Sequence, residues 1–199
     1  MSKTDPDSTK RQQKEAARWA LTIFLVTIAV SATISFVSGE VMNRSSIAVA
    51  FLILLFIVAV GIVFDIVGVA VTSADEKPFH SMASRRVPGA KEAIRLLRSA
   101  GKVSSICNDV IGDICGVVSG AASATIAARA LTYLSFSWPQ VVSLGMSALV
   151  AGLTVGGKAI GKTIAIRSST EIVFLVGRIL ASLDQWKTWL RGKKDKKKG

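Results

Sequence analysis

Residues 46–72 read SIAVAFLILLFIVAVGIVFDIVGVAVT, and in all that length Asp65 is the one charged side chain. A helix needs about 20 mostly apolar residues to cross a hydrocarbon core of about 30 Å, and this run exceeds that. The stretch therefore sets the fold class, a helical membrane protein, and poses its main question. A carboxylate in hydrocarbon costs several kcal/mol unless it is paired, hydrated or coordinating something, so Asp65 is a candidate functional residue.

Working outward, three further runs have spanning length: Trp19–Val37, Val103–Ile126 and Pro139–Ile166. The third span in chain order, 103–126, is the least hydrophobic and is rich in Gly, Ala and Ser. That composition suits a helix packed among other helices. The expected architecture is all-α, with four transmembrane helices plus cytoplasmic juxtamembrane or interfacial helices. Composition agrees: half the residues are hydrophobic and mean hydropathy is +0.49, yet the formal net charge is +12. Soluble domains rarely combine these, whereas membrane proteins with basic cytoplasmic segments do so routinely.

Lys and Arg fall in an alternating pattern. Residues 1–18 carry five, the 39–45 loop one, the 73–102 segment seven, the 125–138 loop one, and residue 158 onward eleven. Basic residues favour the cytoplasmic side, which puts both termini in the cytoplasm of a bacterial cell with the chain in its inner membrane. The first span follows Lys10, Arg11, Lys14 and Arg18 as a secretory signal would, but its apolar core is too long for one. It reads as a retained helix.

Three regions follow. Residues 1–18 are polar and lack apolar periodicity, which predicts a flexible cytoplasmic terminus. Residues 19–190 form the transmembrane domain with its interfacial helices. Residues 191–199 form a basic tail that attracts anionic lipids. Ala90–Ala100 sets Ala93, Ile94, Leu96 and Leu97 against Lys91, Glu92, Arg95 and Arg98, an amphipathic helix for the membrane surface. Glu171–Leu190 is apolar at first but too short to span, and ends with Trp186 and Trp189 beside Lys187 and Arg191. It reads as a second interfacial helix.

Several patterns carry less. Cys107 and Cys115 lie about 12 Å apart along a helix, too far for a disulfide. His80 has no second ligand at zinc spacing. Gly156–Thr163, GGKAIGKT, matches a phosphate-binding loop literally, but that chemistry needs a strand before it and a parallel sheet around it. No nucleic-acid motif accompanies the basic tail, which removes that partner. No nucleophile–base pairing supports an enzyme. Small residues recur at four-residue spacing in Gly116–Gly120, Gly152–Gly156 and Gly157–Gly161, which lets backbones approach closely.

More charges join Asp65. Asp109 and Asp113 interrupt Val103–Ile126, and Lys158 lies near the end of Pro139–Ile166. Counted from the cytoplasmic helix ends, Asp65, Asp109 and Lys158 all lie roughly 9–12 Å deep, with Asn108 at the same level. Asp113 follows one helical turn beyond Asp109 on the same face. Carboxylate and amide oxygens suit Mg2+, which takes few protein oxygens and keeps several waters. The alternative is a salt bridge in which the Lys158 ammonium takes the cation's place.

Four segments also carry a family likeness. FDIVGVAVTSA (Phe64–Ala74) resembles the Phe-Ser-Gly-Ser-Glu-Thr-Ala-x-x-Ser segment of the transmembrane domain of the CorC/cyclin-M (CNNM) magnesium-transport family. GAKEAIRLLR (Gly89–Arg98) is similar to its juxtamembrane Gly-Ala-x-x-Ala-Leu-x-Leu-Leu helix. ICNDVIGDI (Ile106–Ile114) resembles its Ile-Gly-Asn-Asn-Leu-Val-Asn-Ile, and GKAIGKTIAIR (Gly157–Arg167) its Gly-Glu-Ile-x-Pro-Lys-Thr-Leu-Ala-x-Arg. Order and spacing hold from about residue 46 to 185. The resemblance implies a homodimer that binds dehydrated Mg2+ in a cytoplasm-facing pocket. It assigns Asp65, Asn108 and Asp109 as ligands, with Asp113 behind them. This chain departs from the pattern in ways that bear on the site. Asp65 stands for a Ser, Val67 and Gly68 for a Ser and the Glu, Gly112 for an Asn, Gly161 for the Pro, and Lys158 for a Glu. Lys162 and Thr163 match. No segment corresponds to the nucleotide-sensing CBS pair. The expected function is divalent-cation (Mg2+) binding or transport, with Lys158 as a charge-compensating group. The alternative is a non-transporting membrane scaffold or regulatory subunit in which Lys158 replaces the ion.

Overall fold

The computed structural model describes residues 6–133 and 139–195, all of whose regular structure is helical. The chain is an all-α multi-pass membrane protein. Four helical stretches are long and apolar enough to span: Ala17–Met42, Ile47–Ser73, Ala100–Thr132 and Gln140–Arg167.

Helix α1 covers Pro6–Arg44 and α2 covers Ile47–Ser73. Between them Ser46 caps α2, its hydroxyl accepting from the Val49 N–H at 3.4 Å. Two short helices follow, α3 (Lys77–Ser84) and α4 (Ala90–Arg98). The third span is built from α5 (Ala100–Ser105), a π segment (Ile106–Gly112) and α6 (Asp113–Tyr133). Helix α7 (Pro139–Arg167) is the fourth span, and α8 (Ser169–Asp195) returns along the same end as α3 and α4.

Helix α2 is the axis of the bundle, touching α1, α4, α5, the π segment, α6, α7 and α8. It is hydrophobic on every face, as a spanning helix is, with Leu54 and Val58 buried in the bundle while Leu52, Phe56 and Val63 stay exposed. Three buried clusters form along it, one of them Val110, Ile114 and Val118 with Ile57 of α2 and Ile23 of α1 against it. At the basic end, Ala70, Val71, Phe79, Ala93, Ala165 and Val173 are fully buried together. At the opposite end Met42, Leu54, Val58, Ala122, Ile126 and Val150 pack together. There the Arg129 guanidinium donates to the backbone carbonyls of Met42 and of Ser45, the latter at 2.8 Å, tying α6 to the α1–α2 corner. Helix α1 packs mainly on α2 and α6, and leaves Phe24 and Phe36 exposed.

Gly89 opens α4 with φ +91, a conformation that L side chains rarely adopt. A Cβ there would lie 2.7 Å from the Arg178 backbone nitrogen, so the glycine also allows α4 to press its first turn onto α8.

Four expectations need adjustment. The terminus expected to be flexible, residues 1–18, is helical from Pro6 onward, continuing the first span. The 125–138 stretch expected as a loop is helical through Tyr133, which places Arg129 on α6; residues 134–138 lie outside the described residues. Helix α3 was not expected, because its stability comes from burying Phe79 rather than from a long apolar pattern. The basic tail begins as the last turn of α8, and residues 196–199 fall outside the described set.

Candidate functional site: a charged pair among spanning helices

Asp65 on α2 and Lys158 on α7 meet. Lys158 Nζ lies 3.5 Å from Asp65 Oδ1, and the two side chains retain 28% and 15% of their exposure. The low exposure matters, because an ion pair in such surroundings is screened far less than one on a wet surface.

Glycines on the facing helices make room for it. A Cβ on Gly112 would stand 3.4 Å from Lys158 Nζ, so the ammonium lies directly against the π segment. Asn108 stands four residues earlier on that segment and faces Gly68, one turn along α2 from Asp65. A Cβ on Gly68 would come 2.1 Å from Asn108 Oδ1. The Asn108 amide donates to Ser104 Oγ at 3.2 Å, while its carbonyl oxygen Oδ1 is buried without a hydrogen-bond partner. A buried oxygen of this kind leaves its desolvation uncompensated unless something positive reaches it.

The remaining acids face elsewhere. Asp109 is exposed, and its Oδ2 accepts from the Ser105 hydroxyl at 2.7 Å on its own helix. Asp113 is exposed as well. Of the five residues singled out from sequence, Asp65 and Lys158 touch, Asn108 lies beside them, and Asp109 and Asp113 turn away from the pair. Among the described residues, no three His, Cys, Asp or Glu side chains gather as metal ligands.

Helical spacing accounts for this division. Asn108 and Gly112, four apart, face α2 and α7, while Asp109 and Asp113 each stand one residue, about 100°, further round. Equal depth does not imply a shared face. The resemblance had placed Gly68 and Gly112 at site positions, but sequence reasoning missed Ser104, which accepts from the Asn108 amide.

The patterns set aside stay outside the site. Cys107 and Cys115 are both free thiols. Gly157 and Gly161 of the phosphate-loop-like string receive Ile62 and Ile66 of α2, so that string is a helix-packing surface. His80 is exposed and contacts Glu76, which also accepts from Arg98 Nε at 3.1 Å.

No family model, curated protein or solved structure matches this chain.

Proposed function

We propose that the chain is a membrane protein carrying a cation site of the divalent-cation (Mg2+) transporter type, with the Lys158 ammonium held in the cation's place. The observation that carries this reading is the Asp65–Lys158 contact of 3.5 Å beside the partnerless Asn108 oxygen. An acid, a buried amide oxygen and a tethered cation converge where three spanning helices meet. The likeness of these segments to the CorC/cyclin-M transmembrane domain supports it, as does the charge alternation that directs this end toward the cytoplasm of a bacterial inner membrane.

Asp65 and Asn108 fit a hard cation, since Mg2+ takes one or two carboxylates and fills its other positions with water. Asp109 and Asp113 do not share that position and would act only on the approach to it. For Mg2+ to bind, the lysine must swing away on its four-carbon stem toward water. The reading involves no covalent chemistry and places the binding step on the basic side of the bundle.

A second reading, a non-transporting scaffold with a permanent salt bridge, is favoured by Asp65 being the one acid in the pair, with no metal-ligand cluster among the described residues. Thermal unfolding of the purified protein against Mg2+ separates the two. Under the cation reading Lys158→Ala gains a metal-dependent stabilisation, about 2.7 kcal/mol at a hundredfold excess over Kd, and Asp65→Asn abolishes it. Under the scaffold reading both variants are less stable than the parent and neither responds to Mg2+. A flat Mg2+ response in the parent and in Lys158→Ala sinks the cation reading.

A further inference from the structure

We infer that the third span has two registers: passing the extra residue of its π segment into α5 exchanges Asn108 for Asp109 opposite Gly68 and brings a second carboxylate to the Asp65–Lys158 pair. The exchange does not rest on the cation reading, because a second acid there serves the Lys158 ammonium as well as a metal ion.

Three costs fall on the register described above, all within Ile106–Gly112. A π turn bonds i to i+5 and so holds one residue more than an α-helix over the same path, an arrangement seldom kept without a use. Asn108 Oδ1 is buried beside Gly68 with no partner. Asp109 is exposed roughly 9 Å in from Val103, where lipid covers a carboxylate badly. Its bond from the Ser105 hydroxyl comes from its own helix and brings no charge.

A slide of one residue relieves all three. When the extra residue leaves, each residue of the segment turns by about 100° and takes the place of the one before it. Asp109 then stands opposite Gly68, one turn from the Gly112 surface against which the Lys158 ammonium lies. The orphaned amide oxygen leaves that position, and the carboxylate arriving there meets a cation. Ile111 follows Val110 in the cluster with Ile114 and Val118, apolar for apolar. Cys107 leaves its buried place for that of Ile106, which is 45% exposed.

The two ends of the span decide which way the extra residue travels. Helix α6 is anchored, with Ile114, Val118, Ala122 and Ile126 buried and Arg129 bonded to the carbonyls of Met42 and Ser45. Helix α5 buries none of its residues, and a Cβ at Gly101 meets nothing within 4 Å. The slide therefore runs out through α5, as a register shift on the microsecond-to-millisecond scale.

Single-residue deletions separate the two registers. Removing Ile111, between Asp109 and α6, leaves Asn108 opposite Gly68; removing Ile106, between α5 and Asp109, puts Asp109 there. In the full chain in detergent, with Cys115→Ala leaving one thiol, N-ethylmaleimide should modify Cys107 at least about tenfold faster after deletion of Ile106 than after deletion of Ile111. The undeleted chain should fall between them, and circular dichroism checks that the deletion variants fold. A second arm needs no deletion. With Cys107→Ala and Cys115→Ala, Gly68→Cys should form a disulfide with Asn108→Cys in one register. It should form one with Asp109→Cys in the other, once Asn108→Ala vacates the space. Equal labelling of the two folded deletion variants, an undeleted chain as slow as the Ile111 deletion, or a 68–109 pair that stays open while the 68–108 pair closes would each overturn the inference.

Discussion

Replacing Gly68 by alanine puts a methyl carbon 2.1 Å from Asn108 Oδ1, too close for either atom to stay where it is. Overpacking of this kind costs about 1–3 kcal/mol. Asn108→Ser vacates the space, so the double variant should recover part of that loss, which a denaturant double-mutant cycle measures. Additive losses would show that the two side chains are not neighbours. At this scale the Asp65–Lys158 pair was legible in the sequence. Both residues sit on uninterrupted α-helices, where counting residues gives depth and the need for a partner inside lipid gives direction. Asp109 was legible in depth only, because it stands one residue, about 100°, round the helix from Asn108, and depth does not give direction.

Between elements, the contact of α2 with α7 depends on absent side chains. A Cβ at Gly157 would lie 2.4 Å from Ile62 Cδ1, and one at Gly161 would lie 2.7 Å from Ile66 Cγ1. Gly161→Leu should therefore force the helices apart and lower stability by about 1–3 kcal/mol. Gly152→Leu, in open space, should leave the protomer's unfolding midpoint within a degree or two, roughly the scatter of surface changes. Equal losses at the two positions would contradict this packing. The four-residue glycine spacing was readable from sequence, but not which pair is filled. That depends on where isoleucines of another helix fall. The spanning helices were readable because twenty apolar residues admit few other fates. Helix α3 was not, since eight residues without a strong pattern become a helix only through what they bury.

Across the whole molecule, the uneven placement of basic residues predicts an orientation. Lys14 and the α3–α4 region should lie on one side of the membrane, and Arg44 on the other. Single cysteines at positions 14, 85 and 44, in a background lacking Cys107 and Cys115, should divide accordingly. An impermeant thiol reagent applied to intact cells should modify position 44 and spare 14 and 85. Labelling of all three, or of 14 alone, would reverse or break the topology. This expectation needs no coordinates, since orientation depends on summed charge rather than on contacts. The Arg129 clasp was not, because nothing in the sequence says that a lone arginine beyond a span will reach back to two carbonyls 84 and 87 residues earlier. The clasp also limits movement. With α6 pinned to the α1–α2 corner at one extremity, α2 and α6 can part only like the blades of tongs. The gap then widens from that pivot toward Gly68 and Asn108, so any rearrangement of these two helices gives one-sided access.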